Sequence, residues 1–264
     1  MPVLVVTRPQ PDATAWVQQL HSAGVNACAL PLLVIGPSHS TAALASVQAA
    51  LQNLQQYDAL MFVSANAVRY FVESLRKHAL PLPAHAQYWS PGPGTSQALI
   101  AAGIPSPCVI QPAPDAAQFD SEALWQQALP HLSKIQNVLI VRGGDGSHST
   151  GQGRQWLTEQ LRARQIGVDF APVYERQAPA ITPRLLSEIE ALRAQHAIWL
   201  FSSSECVQNL RLSAPAYTWH EHIALATHPR IAQQAQLAGF GLVRETQPST
   251  QAIAASIKSL HDHL

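Results

Sequence analysis

The residues best suited to chemistry are hydroxyl side chains and glycines that close short apolar runs. Thr7-Arg8-Pro9 ends Val3–Val6, Ser64-Ala65-Asn66 ends Asp58–Val63, and Pro91-Gly92-Pro93-Gly94-Thr95 follows Tyr88–Ser90. Further on, Arg142-Gly143-Gly144-Asp145-Gly146 ends Val138–Val141, Ser202-Ser203-Ser204 ends Ala197–Phe201, and Thr227-His228-Pro229-Arg230 ends Ile223–Ala226. A β-branched apolar run suits a buried parallel strand, and a small polar residue turning from it into a helix leaves free N–H groups that seat an anion. These turns carry few carboxylates, no cysteine and no paired acid–base set. GxSxG is absent, so Ser64 and Ser202–Ser204 read as hydrogen-bond donors and not as nucleophiles. The turn at 91–95 is neither a Walker loop nor GxGxxG; Thr95 is placed to cap the next helix or touch a ligand, and a structural tight turn is the commoner explanation. Such a site grips a large polar ligand and does little covalent work.

One tyrosine stands apart. Ala171–Pro179, APVYERQAP, follows the strand-like Val168–Phe170 and sets Tyr174 among charged and proline neighbours. Its prolines favour an extended connection. Leu30–Pro37, LPLLVIGP, has the same character. The two are read as strands bridging two lobes, with an exposed Tyr174 facing the gap; the alternative is that Tyr174 simply caps a strand end.

The elements that must position these residues follow from period and punctuation. Helices are expected from Asp12, as cap, to a stop at Gly24, over Ala42–Leu54, through Val68, Phe71 and Leu75, over Ser96–Ala102, over Ser121–Leu129 with Asp120 as cap, and over Arg154–Arg164. Others follow at Leu185–Leu192, through Val207 and Leu210, at Ile231–Ala238 and at Thr250–Leu260. Strands are expected at Val25–Leu30, Val109–Pro112, Val168–Tyr174 and Leu242-Val243 besides those above. Strands alternating with helices imply an α/β fold with parallel sheets, whose ligands bind at the carboxyl ends of the strands.

Composition bounds the rest. The 264 residues suffice for two modest α/β domains, and 47% hydrophobic residues supply a core. Sixteen basic against sixteen acidic residues give no nucleic-acid footprint and no polybasic membrane patch. Cys28, Cys108 and Cys206 are odd in number and widely spaced, which suits a reducing compartment. The first residues lack a signal peptide's pattern, no stretch suits a membrane helix, and a cytoplasmic location is expected. His220, His222 and His228 lie close in sequence without a further ligand, so they read as loop or surface histidines and not as a metal site.

The chain also repeats itself. VLVVTRP (3–9) echoes VLIVRGG (138–144), ALMFVSANAV (59–68) echoes AIWLFSSSECV (197–207), and YWSPGPGTSQALIAAG (88–103) echoes IALATHPRIAQQAQLAG (223–239). The order is the same in both halves, which argues for a duplicated α/β unit and two similar lobes. The repeat alone allows a plain cut near residue 130.

TRP at 7–9, FVSANAV at 62–68, GPGTSQAL at 92–99, VLIVRGG at 138–144, VYER at 173–176, FSSSECV at 201–207 and THPRIA at 227–232 together resemble the uroporphyrinogen-III synthase family, from about Val3 to Ile257. The resemblance implies two flavodoxin-like parallel-sheet domains joined by a two-stranded linker: residues 1–36 plus 174–264, then 37–173, with linker strands near 32–38 and 172–177. It implies cyclisation of hydroxymethylbilane to uroporphyrinogen III, with ring D inverted and water lost, and with no metal or organic cofactor. By position, Tyr174 resembles the family's linker tyrosine that assists departure of the hydroxyl. Ser64, Ala65, Thr95, Ser203, Thr227, His228 and Arg230 match positions that bind the acetate and propionate groups. Arg8 and Arg142 end matching strands and face either a substrate carboxylate or a neighbouring acid. Two departures stand out: Ser147–Gly153 lengthens the loop before Arg154, and Thr227 replaces a serine common in bacterial relatives.

The expected partner is therefore a tetrapyrrole, bound by a monomer that meets neither nucleic acid nor membrane. The competing reading is a non-catalytic two-lobed protein that binds a tetrapyrrole or small anion. A nucleotide-binding enzyme is disfavoured by the missing motifs.

Overall fold

The central strands are apolar on both faces, so the chain must cover each sheet twice. In the computed structural model, which describes residues 2–116, 118–144 and 152–261, it does so with helices. The order begins β1 (Leu4–Val6), α1 (Asp12–Ser22), β2 (Ala27–Ala29), β3 (Val34–Pro37), α2 (Thr41–Gln52), β4 (Ala59–Phe62), α3 (Ala65–Lys77), β5 (Gln87–Trp89), α4 (Pro93–Ala101) and β6 (Val109–Ile110). It continues with α5 (Ser121–Ala128), β7 (Asn137–Gly143), α6 (Gln152–Ala163), β8 (Gly167–Gln177), α7 (Pro183–Ala194), β9 (Ile198–Phe201), α8 (Ser204–Ser213), β10 (Ile223–Ala226), α9 (Pro229–Leu237), β11 (Leu242–Glu245) and α10 (Thr250–His261). The lengthened loop at 147–153 lies outside the described residues up to residue 151.

Two compact units result. One comprises Met1–Ile35 with Gln177–Leu264, the other Gly36–Arg176. In the first, the strand order is β11-β10-β9-β1-β2, with all four neighbouring pairs parallel. Alternation along each strand splits its core in two. Val5, Trp199, Phe201, Ala224 and Ala226 pack with α7, α8 and α9. Leu4, Val6, Ile198, Leu200 and Leu225 pack with α1 and α10.

In the second unit the order is β3-β8-β7-β4-β5-β6. Ala59, Met61, Trp89, Val138 and Ile140 meet α5 and α6 on one face. On the other, Phe62 lies edge-on to Phe71 of α3 and stacks against Tyr88 of β5.

Strand orders correct the simplest use of the repeat. The copies β1 and β7, β9 and β4, and β10 and β5 occupy matching sheet positions, but each unit takes members from both halves of the chain. No cut near residue 130 separates them, because β1 pairs with β9 rather than with β4.

Local signals held or failed for identifiable reasons. Asp120, Ser64 and Thr182 accept first-turn amides at the starts of α5, α3 and α7. Asp12 is no cap: it lies inside the first turn of α1, and Pro11 takes the cap position without a side-chain bond. Gly24 ends α1 with φ 79°, a left-handed conformation that glycine adopts without a Cβ penalty. Helix α4 starts at Pro93, earlier than Ser96, since proline is preset for the first helical position.

Candidate active site

In the second unit, the sequence motifs converge on Tyr174. The pairing of β7 with β8 runs in step to Arg142 opposite Pro172, then slips so that Gly143 faces Tyr174. Val173 is the extra residue of this bulge, and it breaks alternation, leaving Val173 and Tyr174 both buried. A bulge re-aims a side chain in this way. Pro172, which has no N–H to give a ladder, stands at the slip.

The bulge sets the tyrosine ring over Gly143. A Cβ built on Gly143 would come within 2.8 Å of that ring, so any other residue there must displace it. Tyr70 of α3 stacks on the ring at 5.9 Å between centroids, and the Gly144 N–H donates to the Tyr174 carbonyl at 2.6 Å. The hydroxyl lies 3.2 Å from Ser64 Oγ, beyond the carboxyl end of β4. Tyr174 is thus 3% exposed, which corrects the expectation of an exposed side chain. It does not cap a strand end either, since β8 runs on to Gln177.

Ser64 has a second task. As N-cap of α3, its Oγ accepts from the Ala67 N–H at 3.2 Å. Ala65 is exposed at the first helical position, where the backbone amide has no intrahelical partner. The turn after β5 is held by a network that sequence reasoning missed. Ser90 Oγ donates to the Gly92 carbonyl at 2.8 Å, and Ser96 Oγ lies 3.0 Å from Ser90 Oγ and also bonds Gln111. Its signal was the spacing of two serines across the Pro-Gly turn. Thr95 caps nothing; Gly92 is the cap residue, and Thr95 is buried in the first turn of α4. The Arg142 guanidinium lies 4.8 Å over the Phe170 ring.

In the first unit, the expected residues line the carboxyl edge of the other sheet. Ser203 caps α8 by accepting from the Glu205 N–H at 3.2 Å. Thr227 follows β10, its N–H donating to the Phe201 carbonyl at 3.1 Å. His228 caps α9: Nδ1 accepts from the Arg230 N–H at 3.1 Å, so that nitrogen carries no proton in this arrangement. His228, Pro229 and Arg230 are exposed, and His228 and Pro229 border, with Thr227, a groove that Thr246 and Ser256 complete. Thr7 is structural, fully buried, its Oγ1 donating to the Leu200 carbonyl at 2.7 Å. Arg8 takes its neighbour: the guanidinium reaches Asp12 at 3.4 Å and stacks 4.4 Å over Trp16.

Of the three clustered histidines, His222 breaks the surface reading. It is 4% exposed and stacks on His196. Burial, then His196 and Arg193, hold its pKa below the usual 6.5. Among the described residues no group of three or more His, Cys, Asp or Glu is placed to hold a metal ion, and no helix is long and apolar enough to cross a membrane.

Two doubly covered sheets, each offering hydroxyls and helix-start amides at its carboxyl edge, define an α/β protein with edges able to seat a polar small molecule. The family model described as uroporphyrinogen-III synthase HemD matches residues 14–255, so the chain belongs to that family. Two solved structures share the fold. A uroporphyrinogen-III synthetase from Helicobacter pylori is 18% identical, with 98% of this chain and 99% of that one covered and a TM-score of 0.61. A mutant uroporphyrinogen III synthase from Thermus thermophilus is 17% identical, with 99% and 100% covered and a TM-score of 0.55.

Proposed function

We propose that the protein is a uroporphyrinogen-III synthase, a lyase that closes hydroxymethylbilane to uroporphyrinogen III with ring D inverted and water lost. The observation that carries this reading is family membership over residues 14–255. Each unit is a flavodoxin-like domain; the order β2-β1-β9-β10-β11 supports this for the first. Placing the linker near 32–38 and 172–177 sets the functional domains at 1–36 plus 174–264 and at 37–173, within about three residues of the compact units and with Tyr174 at the boundary. The enzyme works as a cytoplasmic monomer without metal or organic cofactor.

The substrate supplies the reactivity and the protein supplies geometry. The C–O bond of ring A's hydroxymethyl group breaks, its electron pair leaving with oxygen. Tyr174 gives that oxygen a proton, so that water departs. Ring D is attacked at its substituted carbon, the spiro intermediate fragments, and reclosure inverts the ring. The proton then lost from ring D restores the phenol. Backbone amides at Ser64 and Ala65, and amides and hydroxyls at Thr95, Ser203 and Thr227–Arg230, hold the substrate's acetates and propionates, and Arg142 meets a carboxylate. Arg8 does so once it leaves Asp12.

The test is to supply fresh hydroxymethylbilane and separate the oxidised uroporphyrin isomers. Isomer III is expected in proportion to protein, and Tyr174→Phe lowers its rate by about a hundredfold while substrate still binds. Tyr174's burial favours a second reading, a binding protein in which the ring is purely structural. Isomer I alone, from folded protein, establishes that second reading over the first.

A further inference from the structure

The Tyr174–Ser64 pair differs from the hydrogen bonds of Tyr57 and Tyr88 in what the partner is able to give. Tyr57 and Tyr88 face acceptors only: Asp169 Oδ2 and the Pro83 carbonyl, each at 2.8 Å. Their protons are committed inward, and both hydroxyls are pushed well above the usual phenol range, Tyr57 by burial and Asp169, Tyr88 mainly by burial. Tyr174 faces a hydroxyl, which both donates and accepts. One lone pair of Ser64 Oγ is already taken by the Ala67 N–H.

We propose that Ser64 is a positioning residue whose O–H donates to Tyr174, so that the tyrosine's own proton is directed to the departing hydroxyl of the substrate. The proposal deepens the synthase reading and rests on it. The chain of donors runs from the Ala67 amide, held by helix α3, to Ser64 Oγ and on to the phenol oxygen. As the C–O bond breaks and the phenol yields its proton, negative charge grows on an oxygen that already accepts a fixed O–H. Such preorganised donors act on the developing charge without rearranging. The ring is held for the task by Gly143 beneath it and Tyr70 stacked on it. This role differs from the carboxylate contact expected of Ser64 from its position.

The experiment measures kcat and KM for isomer III with Ser64→Thr, Ser64→Gly and Ser64→Asp, each alone and with Tyr174→Phe, alongside melting temperatures. Aspartate and glycine both start helices well, but a carboxylate accepts without donating and glycine does neither. With the relay, both variants lose about tenfold in kcat, glycine at nearly unchanged KM and aspartate with a raised KM because its charge repels the substrate's carboxylates; threonine restores the rate, and neither variant loses more kcat once Tyr174 is phenylalanine. A rise in KM with kcat kept, or equal losses in the phenylalanine background, makes Ser64 an independent substrate contact and overturns the relay alone. Wild-type protein that yields only isomer I overturns the synthase reading and the relay together. If aspartate disturbs the fold, its lowered melting temperature reveals it, and glycine with threonine carries the decision.

Discussion

At the scale of single residues, Gly143 is the least replaceable position near the candidate site. In Gly143→Ala the new methyl enters the space of the Tyr174 ring, 2.8 Å away. The ring must move, and overpacking of this kind costs about 1–3 kcal/mol. A lower urea midpoint and a loss of isomer III comparable to that of Tyr174→Phe are expected together. His222 carries a pH dependence. Its folded-state pKa is depressed chiefly by burial, then by His196 and Arg193, with His220 adding and Glu221 opposing. The unfolded chain therefore takes up a proton near 6.5 that the folded chain refuses. The stability from a neutral His222 is full above that pH and lost as pH falls from there through the folded value. Melting temperatures from pH 8 to 5 should decline less steeply in His222→Gln than in the wild type. These residues also mark where sequence reading stopped. Tyr174 and His222 sit beside charged and polar neighbours, so their burial has no local signature; Arg8 met the nearer of its two possible partners, Asp12.

At the scale of elements, strands and helices were legible because their apolar periods and caps are local. Asp120 before Ser121–Ala128 and Gly24 after Asp12–Ser22 are examples. The bulge at Val173 was not, since a register slip is a property of two strands; Pro172 and the Gly143-Gly144 pair hinted at it only in hindsight. The turn after β5 illustrates the same limit. Its glycines were visible, while the Ser90, Ser96 and Gln111 side chains that fix it come from separate elements. Ser96→Ala removes the hub and its hydrogen bonds to Ser90 and Gln111, at a cost of about 0.5–1.5 kcal/mol. Urea denaturation should record that loss, whereas a change within a few tenths of a kcal/mol would mean the network does not hold the turn.

At the scale of the whole molecule, the interleaving of the two halves sets which pieces are self-sufficient. The unit Gly36–Arg176 is one unbroken stretch. Expressed alone as residues 34–178, it should melt cooperatively. Residues 177–264 alone should not, because β9 loses β1 as its neighbour and the face formed by Ile198, Leu200 and Leu225 loses α1. Circular dichroism melts of both fragments check this, and a cooperative melt of the second would show that β1 is dispensable. The echoing motifs were readable in the sequence, but which copy pairs with which depends on long-range contacts that a repeat leaves undetermined.

The same pairing of β1 with β9 has a consequence in time. Val6 sits against Leu200, and the chain between them includes all of the other unit. At about 5–20 residues per second, the ribosome takes roughly 10–40 s to deliver the partner of a strand it made at the outset. For that interval Leu4, Val5 and Val6, all fully buried in the finished protein, have β2 on one side and water on the other. Their safekeeping, by the nascent α1 or by a chaperone, becomes a step in the birth of this protein, and slowed translation between residues 36 and 176 should raise aggregation far more than slowing beyond residue 201.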